Sequence, residues 1–176
     1  MIWSDLISDN LMVREEMRRL DSIGLWPYLP PRAPLSQSGI DSLERSVGFA
    51  LDPGYRSFLG CADGWPAFYQ SLRLFGSVEL NSGDALLRAR ELLDVAAAGG
   101  AESIAPGSDG FTIVAAAQAD IDLFLMPLKA GVQMSPVIWL AGREIERFAS
   151  FVEFFEAMVA HNRADLADLR ARPVHL

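Results

Sequence analysis

Asp52-Pro53-Gly54-Tyr55-Arg56-Ser57-Phe58-Leu59, followed by Ala62-Asp63-Gly64-Trp65, Leu72-Arg73-Leu74-Phe75-Gly76 and Glu79-Leu80, is the stretch whose reading decides the fold. Asp52 is a ready N-cap, and Pro53 is pre-set for the first helical turn. Tyr55, Phe58, Leu59 and Ala62 recur at helical spacing, and Gly64 stands where that helix is expected to close. Leu72-Arg73-Leu74 alternates as a strand does. Helix, turn and strand signals follow in close order, with almost nothing suited to covalent chemistry. The combination points to a binding module rather than an enzyme.

Just upstream, Ser38 reads as an N-cap with Asp41 at the third helical position. Ile40, Leu43 and Val47 form the apolar face of this helix, and Gly48 is its expected C-cap. Only Phe49-Ala50-Leu51 separate it from the next helix, so the two are spatial neighbours. Further back, residues 6–20 read as a helix with Leu6, Val13, Met17 and Leu20 on one side, and Glu15 pairs with Arg18 or Arg19 at helical spacing. Between these helices, Pro27, Pro30, Pro31 and Pro34 forbid a helix and favour a stiff extended segment. That segment reads either as a proline-rich ligand for another domain or as an ordered connector whose Trp26 and Tyr28 lie on the body of the protein.

Downstream, residues 84–95 read as a helix with apolar Leu86, Leu87, Ala89 and Leu93. Residues 96–110 read as a mobile loop of small residues. Residues 111–115 and 121–126 read as strands joined by a turn at Gln118-Ala119-Asp120, and residues 137–140 as another strand. A second capping box, Ser150-Phe151-Val152-Glu153, opens the last helix. Its apolar face takes Phe148, Phe151, Val152, Phe155, Met158 and Val159. Phe154 falls off that stripe between Glu153 and Glu156, so it either touches the N-terminal segment or faces a partner. The tail from Asn162 is charged and expected to fray. Helices first, strands in the middle and a closing helix argue for α+β, a mainly antiparallel sheet flanked by helices. No repeat or second boundary is visible. The reading is one domain over 1–176: an N-terminal helix and connector over 1–35, a core over 36–160 and a tail over 161–176.

At 176 residues the chain can bury a core without disulfide or metal. Hydrophobic residues are 51% of it, which excludes a mainly disordered chain. Acidic residues number 23 against 15 basic, a net charge of −8. Phosphate backbones and anionic membranes repel such a chain, so no direct nucleic acid and no membrane is expected as partner. A basic protein, such as a nuclease with a positive cleft, is attracted by it. The single cysteine, Cys61, excludes an internal disulfide and reads as a small core residue within the helix, in a reducing cytoplasm. The start lacks a basic segment followed by an apolar run, so no signal peptide is expected. No stretch reads as a membrane span: the most apolar, residues 111–128, is interrupted by Gln118, Asp120 and Asp122.

Candidate chemistry is sparse. His161, placed near a helix C-terminus, and His175 are the two histidines, and they do not form a zinc-binding pair. Gly107-Ser108-Asp109-Gly110 is not followed by the Lys-Ser/Thr of a phosphate loop. No catalytic residue, metal or cofactor is expected. Asp120 and Asp122 share a strand face if the strand starts that early. They read either as an acid–base pair or as a hydrated hairpin turn. Asp63, Trp65, Phe68 and Tyr69 put acid and aromatics on one loop, read as a partner-binding patch or as rings folded back over the sheet. The candidate partner-binding residues are therefore Asp63, Trp65, Phe68, Tyr69, Asp120 and Asp122.

Five short motifs now fall into order. Ile40, Leu43, Glu44 and Gly48 fit Ile-x-x-Leu-Glu-x-x-x-Gly. The run from Leu51 to Leu59 fits Leu-Pro-x-x-Tyr-Arg-x-Phe-Leu, with Asp52 inserted before the proline. Asp63-Gly64 stands for Asn-Gly, Leu74-Phe75-Gly76 for a Leu-Phe-Gly strand end, and Ser150-Phe151-Val152-Glu153-Phe154-Phe155 for Ser-Phe-x-x-Phe-Leu. In this order they resemble the SMI1/KNR4 family of the SUKH superfamily, over Gly39 to Val159. The resemblance implies an α+β fold that works by binding proteins. Many bacterial members are immunity proteins that neutralise a toxin made by the same or a neighbouring cell, and fungal members are signalling scaffolds of cell-wall maintenance. The expectation is an immunity-type protein with a cognate toxin domain as partner. The alternative is a regulatory scaffold or small-ligand sensor without a toxin.

Overall fold

The computed structural model describes residues 2–99, 110–128 and 134–171. The mobile loop expected over 96–110 falls mostly outside these residues; its first part, to Ala98, is helical. The elements run α1 (Ile2–Leu20), α2 (Gln37–Val47), α3 (Pro53–Leu59), β1 (Trp65–Tyr69), β2 (Leu72–Leu74), α4 (Ser77–Asn81), α5 (Asp84–Ala98), β3 (Phe111–Ala117), β4 (Leu123–Pro127), β5 (Val137–Leu140), β6 (Glu144–Phe148) and α6 (Phe151–Ala171). The strands form one sheet in the order β1-β2-β3-β4-β5-β6, antiparallel throughout. The fold is α+β, with helices flanking an antiparallel sheet.

Capping explains the helix starts, with one correction. Asp52 Oδ1 accepts from the N–H groups of Gly54 (2.8 Å) and Tyr55, and Pro53 follows as the first helical residue. Gly48, at φ +85°, closes α2 in the left-handed conformation. The cap of α2 is Ser36, not Ser38: Ser36 Oγ accepts from Gly39 N–H at 3.1 Å. Asp41 is thereby freed to pair with Arg56 across α2 and α3 at 2.8 Å. Ser36→Ala is expected to cost about 1 kcal/mol in chemical denaturation, and Ser38→Ala under about 0.5 kcal/mol.

α6 lies against the sheet and is buried over more of its circumference than a simple stripe. Phe154, Phe155, Met158 and Asn162 are all inaccessible. Phe154, off the expected stripe, sits in the core with its ring centroid 4.9 Å from Phe124 and 5.8 Å from Phe148. Phe148 itself is the last residue of β6 rather than part of the helix. The expected fraying from Asn162 is corrected too. α6 continues to Ala171, and Leu166 and Leu169 pack with Met17, Trp26 and Tyr28.

The N-terminal helix buries Trp3, Ile7, Asn10, Arg14 and Met17, a face rotated from the expected one; Leu20 is 41% exposed. Two polar residues sit in this stripe with partners on α6 and the connector, although Asn10 Nδ2 and Arg14 Nε are left without a hydrogen-bond partner. Asn162 Nδ2 donates to Asn10 Oδ1 (2.9 Å) and to the Phe68 carbonyl (3.0 Å). Arg14 donates to Asn162 Oδ1 and to the Pro27 carbonyl, and its guanidinium lies 4.6 Å from the Tyr28 ring centre. The proline segment is an ordered connector beside β1: Trp65 Nε1 donates to the Leu29 carbonyl (2.8 Å) and Arg32 N–H to the Gly64 carbonyl. It covers the β1 edge, a strand that tolerates Pro66 because it is an edge.

The two ends of the β1–β2 hairpin region meet at two glycines. A Cβ on Gly64 (φ +76°) would stand 2.6 Å from Gly76 N. Gly64 therefore serves this close approach and does not close α3, which ends at Leu59. Cys61 lies in the turn beyond that helix, partly buried against the core.

Candidate functional site

Of the six candidate residues, the structure separates three from the other three. Trp65 and Phe68 are inaccessible and Asp63 is 8% exposed, so they present no surface to a partner. β1 turns its aromatics inward: Phe68 packs 4.7 Å from Phe155 and 5.5 Å from Trp65. Asp63 instead caps α4, accepting from the N–H and Oγ of Ser77 at 2.6 Å each.

Tyr69, Asp120 and Asp122 converge. They line a small open cleft of about 30 Å³ at one end of the sheet, formed by the β1–β2 turn, the β3–β4 turn and β5. Gln70, Ser71, Leu72, Ala117, Phe124 and Trp139 complete the lining. The floor is a stack: Phe124 and Trp139, directly paired in register, have ring centroids 5.2 Å apart. α6 runs behind two of the lining rings, with the His161 ring centroid 5.6 Å from Tyr69 and 6.2 Å from Trp139. His161 is thus a mid-helix residue, not one near a helix C-terminus.

Each acid has its own anchoring. Asp122 Oδ1 accepts from Trp139 Nε1 at 2.7 Å. Asp120 stays exposed, its Oδ1 accepting from Ile121 N–H and its carbonyl from Arg88 Nη2. β4 begins at Leu123, so the two acids precede the strand and lie in the turn between β3 and β4, the hairpin-turn reading of the two. Burial pushes the Asp122 carboxyl above its usual range; the Trp139 hydrogen bond opposes this and nearby Asp120 adds to it. Burial, with Asp165 and Asp122 nearby, pushes the Tyr69 hydroxyl up to about 12. The cleft therefore sets two carboxylates, one of them part-buried, against aromatic rings.

The rim is held in a strained conformation. Gln70, at φ +45°, is the one non-glycine residue with positive φ among the described residues. Its side-chain amide donates to Tyr69 Oη (3.0 Å) and to Asp165 Oδ2 (2.9 Å), tying the β1–β2 turn to α6. Ile121 stands beside the acids with 51% of its surface exposed. Sequence reasoning missed Gln70, Trp139, His161 and Asp165, which lie on three separate elements and share no local motif.

Among the described residues no group of three or more His, Cys, Asp or Glu is placed to hold a metal, and no helix is long and apolar enough to cross a membrane. Comparison with known protein families returns no match to this chain, and comparison with curated proteins returns none either.

Proposed function

We propose that this chain is a non-catalytic protein-binding module of the immunity type, acting in the cytoplasm, which neutralises a basic toxin domain by binding it. The observation that carries the reading is the acidic, aromatic cleft at the end of the sheet. Tyr69 and Trp139 offer rigid rings, and Asp120 and Asp122 offer charge, to a lysine or arginine side chain of the partner. Aromatic anchors bury area at small entropy cost, and cationic groups gain further over aromatic faces. The −8 charge of the chain steers a basic partner toward it. The motif order resembling the SUKH superfamily supports the same class of function. Inhibition then needs only an interface of standard size that covers the toxin's active site.

The test is affinity capture of the tagged protein from its native cells, with a salt wash before the bound proteins are identified. One near-stoichiometric basic partner carrying a toxin-like domain is the expected result. A scatter of weak partners, or none, would overturn it in favour of a regulatory scaffold or ligand sensor.

A further inference from the structure

One turn of α6 grips three consecutive residues where β1 runs into its turn. Asn162 Nδ2 donates to the Phe68 carbonyl at 3.0 Å, the His161 ring centroid lies 5.6 Å from that of Tyr69, and Asp165 Oδ2 accepts from Gln70 Nε2 at 2.9 Å. Asn162 is in turn bonded to Asn10 and Arg14 of α1. The segment that carries Tyr69 is thereby fixed from the helix side, with Gln70 held at φ +45°.

Donor and acceptor accounting at Gln70 sets the polarity of the Tyr69 hydroxyl. A carboxylate only accepts, so the Gln70 atom facing Asp165 is the amide nitrogen. The same nitrogen lies 3.0 Å from Tyr69 Oη. It directs one N–H to each oxygen, and the Tyr69 oxygen is therefore an acceptor toward Gln70. The Tyr69 O–H is left to donate elsewhere. Burial, then nearby Asp165 and Asp122, push this hydroxyl up to about 12, so it keeps its proton at neutral pH. Without the Asp165 carboxylate the amide is free to turn over, and Gln70 Oε1 then takes the Tyr69 proton. Asp120 and Asp122, which line the same cleft, repel a carboxylate and leave a neutral carbonyl as the acceptor that fits.

We infer that Gln70 and Asp165 are positioning residues for partner binding: together they hold the Tyr69 hydroxyl as a hydrogen-bond donor to a carbonyl oxygen of the partner. The cleft then reads a carbonyl beside the partner's basic side chain. This rests on the cleft being the partner-binding surface.

The test is the dissociation rate of the captured partner from wild type, Tyr69→Phe, Gln70→Glu and Asp165→Asn. Tyr69→Phe removes the donor and is expected to speed dissociation about tenfold. Gln70→Glu turns the neighbour of Tyr69 into an acceptor that captures its proton, and is expected to speed dissociation by a similar factor. Charge alone predicts the opposite, because an added carboxylate attracts a basic partner. Asp165→Asn permits both senses of the amide and falls between these variants and wild type. Gln70→Glu added to Tyr69→Phe brings no further loss. A measurement without partner accompanies these rates: the tyrosine Fermi doublet in the Raman spectrum, assigned to Tyr69 by difference from Tyr69→Phe. In Gln70→Glu it is expected to shift toward the pattern of a strongly donating phenol. A partner that leaves Gln70→Glu no faster than wild type, or an unchanged doublet, would overturn this inference alone. Absence of any partner in the capture would overturn the reading on which it rests.

Discussion

Gly76→Ala is expected to destabilise the protein by about 3 kcal/mol, the upper part of the range for forced overpacking. Gly76 has φ −123°, which any residue adopts, so the effect is steric and not conformational. A Cβ there would overlap the Asp63 carbonyl, lying 2.5 Å from its carbon and 2.6 Å from Asp63 Oδ1. The backbone has little room to yield, because the same Asp63 carboxylate is bonded to Ser77 and the next residue, Gly64, also lies close against the Gly76 backbone. Gly48→Ala is the informative control. Gly48 is left-handed but faces open space, so its loss costs only the strain of about 1–2 kcal/mol. Urea denaturation of both variants checks the order. Equal losses would mean that the Asp63–Gly76 contact is looser than described.

The second large effect is expected at Glu79, which is 2% exposed and lies between two arginines. Arg32 grips it with two hydrogen bonds, one at 2.9 Å, and Arg73 approaches at 3.4 Å. Gly76 N–H donates to it at 3.0 Å. Burial alone would raise the Glu79 carboxyl, but the Arg32 and Gly76 hydrogen bonds outweigh it and hold the group below its usual range. Glu79→Ala leaves these donors without their acceptor and is expected to cost about 3 kcal/mol, near the lower end for breaking a buried pair, since both arginines retain some contact with water. Glu79→Gln keeps the shape, loses the charge and falls between wild type and Glu79→Ala. The sign of the pH effect follows from the lowered value. Glu79's contribution is fully present above about pH 4.5 and is lost as pH falls through its folded-state value. In Glu79→Gln the acid-induced loss of stability is expected to be shallower by this contribution; an unchanged acid limb would contradict the assignment.

Local signals in the chain carried much of the fold. Gly48, the Asp52-Pro53 pair and the Ser150–Glu153 box each act through backbone groups one to four residues away, so their meaning does not depend on the rest of the molecule. Indeed Glu153 N–H donates to Ser150 Oγ and Glu153 Oε2 accepts from Ala149 N–H. Readings that required knowing a residue's neighbour failed. Asn10 and Arg14 look like solvent-facing residues until Asn162 and the Pro27 carbonyl are seen to bond to them. Phe154 looks off-stripe because α6 is covered by the sheet on one side and by α1 and α3 on others. β6 escaped notice because its residues 144–147 are exposed and three of them are charged, so no apolar alternation marks it. Trp65 and Phe68 illustrate the limit for function: an aromatic beside an acid reads equally as surface anchor or core. Of the cleft, only Tyr69, Asp120 and Asp122 were legible, and their meeting with Trp139, His161 and Asp165 is a product of tertiary packing.

The most direct test of the binding account is the association rate of the captured partner with wild type and with Asp120→Lys, followed against ionic strength. Asp120 is exposed and outside the core, so the variant is expected to fold normally. The account predicts a wild-type rate that falls steeply with added salt and a rate at low salt about tenfold lower for Asp120→Lys. Rates that are equal for the two proteins and indifferent to salt would contradict it.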